Sequence, residues 1–441
     1  MPNIIPFRGV FYNPEKIQNL SDVVAPPFDV ISKEAQHRFH ENHPHNIVRL
    51  TLGMKTENDT TDNNCFTRAA DCFNSWLSEN ILVRDKTPAI YLSSLEFSFE
   101  NRTLIRCGLI ALIGLVPFSE GIVLPHEKTF TNVKSERLQL IKACRANFST
   151  IFSMYSDKEN SVLDTLKGAV LSRKPVIDFI DHSGHRHVLW RITDAAVHRN
   201  VSEAMREKKI YIADGHHRYE TALNYREYLS KTDPGFSPDH PANAVMMYLC
   251  GMEDPGLIIL PAHRMFDEVD ASARADLIPR AAEYFDIAKF PFNGNGRDKA
   301  CSEFISALKS NTQTNCLGIF MKDRPEFYML KLKPGVMERM FGGELPKSLI
   351  DIDVTILDRL ILMEILGFDK NRLDNEKLIA YSSVAEEAID AIAAGKHDIS
   401  FILNPTRIDQ VRRVAEAGLI MPNKATYFYP KVITGHIMNK L

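Results

Sequence analysis

The segment from 209 to 223, KIYIADGHHRYETAL, combines three local patterns in one short run. Residues 210–213 form an apolar run that is typical of a buried strand. Asp214 and Gly215 follow it, and these residue types turn a chain most readily. From His217 onward the apolar side chains fall on one broad helical face: Tyr219, Ala222, Leu223 and Leu229. We therefore predict a strand, a tight turn and a helix.

The start of the predicted helix is the first candidate site. Free N–H groups and the positive end of the helix dipole favour phosphate at such a position. His216, His217 and Arg218 stand there, and arginine binds phosphate in a bidentate way. The sequence thus predicts a phosphate-binding site formed by Gly215, His216, His217 and Arg218.

The balance of charge excludes some classes of partner. The chain has 441 residues, with 53 basic and 56 acidic side chains, and it lacks the basic excess that marks nucleic-acid binding. Its longest uncharged stretch, Cys107 to Ser119, has 13 residues, whereas a membrane-spanning helix needs about 20. We expect neither a nucleic-acid nor a membrane partner, and a homo-oligomer is possible.

Cysteine usage and the N-terminus indicate the compartment. The seven cysteines are scattered and form no C-x-x-C pair, so we expect reduced thiols instead of disulfides or a zinc site. The N-terminus lacks signal-peptide architecture, and we expect a cytoplasmic protein.

Helical and strand patterns alternate along the chain, which predicts a mixed α/β fold. A chain of this length predicts two or three domains. We expect three regions: an N-terminal α/β region over 1–190, a phosphate-binding core over 191–270, and a C-terminal α/β region over 271–441.

A second candidate site lies in the loop GIVLPHEKTF, residues 121–130. Glu127 could serve as a general base if burial or neighbouring groups tune its pKa. In the alternative interpretation, Glu127 and Lys128 form a solvated surface pair. Residue types alone do not separate these two readings.

Three further stretches have structural or functional interpretations. Asp29 follows two prolines, and it is either a turn residue or a site wall carried on a loop. Residues 46–51, NIVRLT, are predicted to form a short strand. The histidines of a predicted hairpin turn, His182, His185 and His187, could in principle hold a metal. A solvent-facing turn is favoured there, because the flanks supply neither cysteine nor helical spacing.

The stretch from Met421 to Lys431, MPNKATYFYPK, is aromatic and polar. Such a stretch is usually a packed tail. Its Lys424, Thr426 and Tyr427 could also close over a small anionic ligand.

The DGHHRY run at 214–219 resembles the phosphate-binding signature of the ParB/sulfiredoxin superfamily. That resemblance implies a ParB/sulfiredoxin-like nucleotide-binding core. Sulfiredoxin carries its catalytic cysteine inside the motif, where this chain has His216, so reductase activity is excluded. ParB pairs the fold with a DNA-binding helix-turn-helix, which is not evident here.

Several stretches together resemble a bacterial and archaeal family catalogued as domain of unknown function 1015. The stretches that carry this resemblance are APPFDVIS (25–32), NIVRL (46–50), LPHEKT (124–129), RANFS (145–149), DGHHRYETA (214–222) and MPNKATYFYPK (421–431).

The chain is also similar to free-serine kinases of the same superfamily in three places: a Pro-His-Glu, an Asp-Gly-His-His-Arg and a late Lys-x-Thr. The resemblance implies that Glu127 is the general base and that Asp214 and His217 act at the phosphates. Tyr427 stands where those kinases have an arginine that helps to hold the amino acid, and this leaves the acceptor open.

These resemblances imply a phosphotransferase that interconverts L-serine and O-phosphoserine with ATP or ADP. A bare carboxylate beside phosphate is repulsive, so we expect Asp214 either to bind Mg²⁺ or to stay protonated, and we favour Mg²⁺. The predicted substrate contacts are His126, Lys128, Lys424, Thr426 and Tyr427. A nucleotide-binding regulatory protein of ParB-like type and a phosphoserine phosphatase are the alternatives.

Overall fold

The computed structural model describes residues 1–322, 324–375 and 378–441, apart from the side chains of residues 131, 132, 295 and 374. The chain forms two compact units. The first contains residues 1–258 and 430–441, and the second contains residues 259–429. The mixed α/β class predicted from the sequence is confirmed, and the three-region division stays a prediction.

The strands of the described residues are, in chain order, β1 Ile4–Ile5, β2 Val10–Tyr12, β3 Leu82–Arg84, β4 Ile90–Phe99, β5 Arg102–Gly114, β6 Val123–Leu124, β7 Ala146–Asn147, β8 Ile151–Tyr155, β9 Ile177–Ile180, β10 Arg186–Ile192, β11 Ile210–Asp214, β12 Ala244–Gly251, β13 Ile258–Leu260, β14 His263–Phe266, β15 Phe285–Pro291, β16 Cys316–Met321, β17 Glu326–Leu332, β18 Ile379–Ser382, β19 Ile399–Leu403, β20 Tyr427–Tyr429 and β21 Asn439–Lys440.

The α-helices of the described residues are α1 Lys33–Asn42, α2 Val48–Thr51, α3 Cys65–Ser78, α4 Thr131–Cys144, α5 Ser161–Val170, α6 Ala195–Met205, α7 His216–Thr232, α8 Ala271–Ala281, α9 Arg297–Lys309, α10 Val336–Phe341, α11 Lys347–Ile350, α12 Asp353–Ile356, α13 Lys370–Asp374, α14 Ala385–Ala393 and α15 Ile408–Glu416. A π-helical stretch, Leu357–Ile365, continues α12. Within the described ranges, no helix is both long and apolar enough to cross a membrane.

The first unit is built on a nine-stranded sheet. Its order is β6-β11-β8-β12-β5-β4-β10-β9, with β1 added on β5. Most neighbours are antiparallel, but β11 runs parallel to β6, and β12 runs parallel to β8. Because β6 and β11 are parallel neighbours, the loops that follow them leave the same edge of the sheet. This topology places the two candidate segments side by side.

β11 is packed inside the apolar core of the first unit. All five of its residues are buried, and both Ile210 and Ile212 belong to the main apolar core of the unit. Tyr219 and Ala222 of α7 pack into the same core, so the helix presents one apolar face to the sheet. The predicted strand, turn and helix are confirmed.

The second unit contains a six-stranded sheet in the order β15-β17-β16-β19-β14-β18. The hairpin of β16 and β17 is antiparallel. Phe304 of α9 and Ile389 of α14 are buried in the apolar core of this unit.

The predicted strand over residues 46–51 is wrong, because Val48–Thr51 is helical. The side-chain oxygen of Asn46 accepts a hydrogen bond from the N–H of Val48 at 3.0 Å. Such a local bond from Asn to its own backbone turns the chain. The β-branched residues that favoured a strand are therefore overridden by one turn-forming side chain.

Candidate functional site

The junction between β11 and α7 depends on one glycine. Gly215 has a φ of +97°, a backbone conformation that residues other than glycine rarely adopt. A Cβ at this position would lie 2.8 Å from Nε of Arg218. No side chain caps the start of α7, and uncapped N–H groups at a helix start can serve as donors for an anion.

The loop after β6 lies beside this junction. Tyr211 of β11 pairs with Leu124, the last residue of β6. Three residues later in the chain, Glu127 reaches the start of α7, where one of its carboxylate oxygens lies 3.2 Å from Nδ1 of His216. The two segments predicted separately from the sequence are thus brought together.

Two imidazoles orient the Glu127 carboxylate. The backbone N–H of His126 donates to Nε2 of His216 at 3.3 Å. A neutral His216 must then carry its proton on Nδ1, the nitrogen that faces Glu127. Nε2 of His126 lies 3.9 Å from the other carboxylate oxygen, and the two rings meet edge to face at 4.7 Å.

Glu127 is held as an anion. Burial opposes its ionisation, but the neighbouring His216, His126 and Lys431 hold the pKa of Glu127 well below its usual range. Burial and the neighbouring His216 lower the pKa of His126 to about 4, so His126 is neutral at pH 7. The Glu127 side chain is 34% exposed, and the structure gives it His216 as a close partner.

The first turn of α7 also fixes the loop that carries Glu127. Nε2 of His217 accepts a hydrogen bond from the N–H of Phe130 at 2.8 Å, and the two rings stack. Glu220, one turn further on, accepts from Thr129 at 2.7 Å and from Lys134 at 2.6 Å. In this arrangement His217 positions the loop, since one ring nitrogen is already engaged.

Asp214 lies between two cations. One carboxylate oxygen accepts from Nη2 of Arg218 and the other from Nζ of Lys431, each at 2.5 Å. The three side chains are only 11% to 14% exposed. Burial opposes the charge on Asp214, but Lys431 and Arg218 outweigh it and lower its pKa. The pKa of Lys431 is raised, because Asp214, Asp29 and Glu127 offset the effect of its burial.

This pairing does not fit the predicted magnesium role of Asp214. Mg²⁺ needs carboxylate oxygens in near-octahedral geometry, and both oxygens of Asp214 already bond to cations. The carboxylate instead holds Arg218 and Lys431 in place beside the start of α7. We therefore assign Asp214 no step that passes through a metal.

Arg218 also lines a cavity of about 70 Å³. Its Nη1 donates to Oγ of Ser149 at 3.2 Å and to the carbonyl of Thr150. On the cavity wall the Arg137 guanidinium lies 4.1 Å from the centre of the Phe28 ring. Other lining residues include Asn147, Ser149, Thr221 and Thr434. Two guanidinium groups and several hydroxyls therefore surround a space that suits a small anion.

The other predicted substrate contacts are either exposed or belong to the second unit. Lys128 is exposed to solvent. Lys424, Thr426 and Tyr427 belong to the second unit, where Arg264 and Thr406 hold their loop through backbone carbonyls of Asn423 and Ala425. Their predicted role at the site stays a prediction.

The sequence patterns did not assign a definite site role to two residues of the cluster, Lys431 and Asp29. Lys431 closes the MPNKATYFYPK stretch, but nothing in that run distinguishes it from Lys424. Asp29 lies at the surface of the same cluster, where partial desolvation and the charge of Asp214 raise its pKa. This supports the interpretation of Asp29 as a site wall. Burial of Lys431 beside Asp214 is the signal that would have identified it, and burial is not visible in a single sequence.

Solved structures with a distant likeness to this chain include the following three. A conserved hypothetical protein from Pyrococcus furiosus is 12% identical, with a TM-score of 0.32, over 74% of this chain and 92% of that one. A free serine kinase in complex with AMP is 11% identical, with a TM-score of 0.33, over 73% and 86%. SbnI from Staphylococcus aureus, truncated at its C-terminus, is 9% identical, with a TM-score of 0.31, over 74% and 85%. TM-scores this low do not indicate a shared function.

The family assignment has a firmer basis. No curated protein sequence matches the chain. A family model described as "Protein of unknown function (DUF1015)" matches residues 4–358, which is well over half of the chain. The resemblance noted in the sequence is therefore confirmed, and the chain belongs to the DUF1015 family.

Proposed function

We propose that this protein is a phosphotransferase that moves a phosphoryl group between a nucleotide, ATP or ADP, and the hydroxyl oxygen of L-serine. The observation that carries the proposal is the pairing of an ionised carboxylate with an anion site. Glu127, oriented by His216, lies beside the uncapped start of α7, where Arg218 and Lys431 are held by Asp214.

Phosphoryl transfer is mainly a matter of positioning and charge stabilisation, because its transition state is loose. The first amides of α7 would bind phosphate oxygens, and Arg218 and Lys431 would balance the charge on the transferring group. Asp214 fixes both cations before phosphate binds, which avoids the cost of ordering two long side chains during the reaction.

Glu127 would accept the proton of the serine hydroxyl, or return it in the direction of serine synthesis. A carboxylate with a lowered pKa is a weak base, and in a loose transition state it takes the proton late, as the new phosphorus–oxygen bond forms. Phosphate bound near Glu127 would also raise its pKa through like-charge repulsion. His216 and His126 would keep the carboxylate aimed at the hydroxyl.

The amino-acid end of the proposal rests on the motif resemblance. His126, Lys128, Lys424, Thr426 and Tyr427 are the proposed contacts to serine or phosphoserine. The cavity beside Arg218 and Arg137 is a further place for a carboxylate or phosphate, since arginine pairs with both in a bidentate way. Any Mg²⁺ is proposed to arrive on the nucleotide's phosphates.

One incubation series tests this proposal. Purified protein is mixed with Mg²⁺, O-phosphoserine and ADP, and each component is then omitted in turn. We expect ATP and serine to form together, in equal amounts, only in the complete mixture. The same stoichiometry should appear in reverse from ATP and serine.

Two other outcomes would contradict it. Serine release without ADP would indicate a phosphatase, in which water takes the phosphoryl group. Nucleotide binding by calorimetry without product in either direction would indicate a regulatory nucleotide-binding protein. The control is Glu136→Gln, because that exposed side chain forms an ion pair with the exposed Lys55, and its loss should not affect turnover.

A further inference from the structure

A second cluster of metal-ligating side chains lies at the turn between β9 and β10, away from the residues of the proposed phosphotransferase site. Asp181, His185 and His187 each offer one ligand atom, and these atoms all lie within 4.8 Å of one another. The sequence pattern offers His182, His185 and His187 as conceivable ligands and favours a solvent-facing turn. His182 is exposed and faces Asp22 at 3.2 Å.

One carboxylate oxygen of Asp181 is used to build the turn. It accepts the N–H of Ser183 at 2.8 Å and the N–H of His185 at 3.0 Å. The orientation of the carboxylate is therefore fixed by the backbone. Hydrogen bonds of this kind, outside the ligand atoms themselves, are what orient metal ligands in proteins.

The other carboxylate oxygen faces both imidazoles. It lies 2.9 Å from Nε2 of His187 and 3.6 Å from Nδ1 of His185. His185 and His187 are two residues apart, so they project on the same face of an extended chain. All three side chains are between 10% and 15% exposed, so their ligand atoms are shielded but still accessible to solvent.

Aromatic rings hold both imidazoles in place. His187 stacks on Phe179 with the ring centres 5.1 Å apart, and His185 meets Phe97 edge to face. A third imidazole is also coupled to this cluster. His436 is buried, interacts electrostatically with His187, and has an Nδ1 without a hydrogen-bond partner among the described residues.

We propose that Asp181, His185 and His187 form a binding site for one divalent transition-metal ion, with Zn²⁺ as the expected ion. Two imidazole nitrogens and one carboxylate oxygen are a donor set that Zn²⁺ accepts, and three protein ligands leave a fourth position for water. Ligand atoms about 2.0–2.1 Å from a tetrahedral ion lie roughly 3.3 Å from each other. Two separations are close to this value, 2.9 Å from Asp181 to His187 and 3.6 Å from Asp181 to His185, and all three ligand atoms lie within 4.8 Å of one another.

The test is zinc binding to the full-length protein after treatment with a chelator. Calorimetric titration with ZnCl₂ should show one equivalent whose affinity falls at least about tenfold in Asp181→Asn and in His187→Gln. Asp181→Asn retains an oxygen that can accept the two backbone N–H groups, so the turn should still fold. Co²⁺ should give the visible absorption of a four- or five-coordinate ion with the wild-type protein and not with these variants.

Two controls make the outcome specific. His182→Gln changes the same turn without touching the cluster, and it should leave the equivalent intact. Glu127→Gln should do the same, although Glu127 lies beside two other imidazoles. A wild-type protein without stoichiometric zinc, or zinc binding that survives in Asp181→Asn and His187→Gln, would overturn the proposal, as would loss of the equivalent in either control.

Discussion

Two aspartates of the first unit have similar local settings and opposite chemistry. Asp214 ends β11, and Asp181 follows β9, and each is next to a turn and near histidines. Asp214 bonds to the permanent cations Arg218 and Lys431, whereas Asp181 bonds to His187 and to the backbone of its own turn.

The difference lies in what the partners can do. A guanidinium and a buried ammonium keep their charge at neutral pH, so they remain attractive to phosphate while the aspartate holds them in place. A neutral imidazole has a lone pair, so it can share a metal ion with a carboxylate. The same residue type therefore supports a proposed anion site in one place and a proposed cation site in the other.

The largest expected effect comes from the group that would take the proton beside Asp214. Glu127→Gln should lower the rate of phosphoryl transfer by about 10²- to 10⁴-fold, because an amide cannot accept a proton as the carboxylate does. Nucleotide affinity should change little. Rates from single-turnover measurements and affinities from calorimetry separate the two, and a rate like that of wild type would rule out the proposed role.

Removing one cation from Asp214 should weaken the fold itself. Lys431→Met leaves a carboxylate that is only 11% exposed with Arg218 alone, and it should lower the free energy of unfolding by about 2–3 kcal/mol, somewhat below the full cost of breaking a buried pair. Urea unfolding measures this change. Nucleotide affinity should fall as well.

The matched control for Lys431 is Lys231→Met. Lys231 pairs with Glu227 at the same 2.5 Å, but both side chains are more than 60% exposed, so this change should cost less than about 1 kcal/mol. Equal losses of stability in the two variants would show that burial does not distinguish the pairs.

The turn that connects Asp214 to the helix gives a smaller effect. Gly215→Ala forces a Cβ into a positive φ and against the guanidinium of Arg218. We expect a loss of about 1–2 kcal/mol in the free energy of unfolding and weaker phosphate binding. Gly184→Ala is the control: its φ is also positive, but a Cβ there meets open space. If backbone strain alone caused the loss of stability, the loss would be the same in both variants.

The smallest effect is on the dependence of stability on pH. The pKa of Asp214 is lower in the folded protein than in the unfolded chain, so its contribution is complete above the unfolded value of about 4 and is lost as the pH falls through the folded value. Asp214→Asn should therefore flatten the decline of stability below about pH 4 by up to about 1.4 kcal/mol per pH unit. Unfolding curves from pH 2 to 6 measure the slope, and the exposed Asp239→Asn should leave it unchanged.

Local patterns predicted the parts of the site that are contiguous in the chain. The apolar run, the Asp-Gly pair and the helical face gave β11, the turn and α7 with nearly the observed bounds. They failed at residues 46–51, where the side chain of Asn46 turns the chain against the preference of its β-branched neighbours. A single hydrogen bond to the backbone decided that segment.

Contacts between distant residues were outside the reach of such patterns. The resemblance to free-serine kinases named Glu127 and the 214–218 motif together, but their spatial contact depends on the parallel pairing of β6 and β11. Lys431 lies 217 residues from Asp214. At the second cluster, the hairpin turn was predicted, yet only the folded turn shows that Asp181 and not His182 faces the imidazoles.

The sequence by itself determined the elements and the residue types at the helix start, because backbone preferences and apolar periodicity act over a few residues. Only the tertiary structure decided the charge on each group, since a pKa depends on burial and on the neighbours that folding supplies. It made Glu127 an anion beside His216, gave Asp214 two cations in place of the predicted metal, and brought Lys431 to the site.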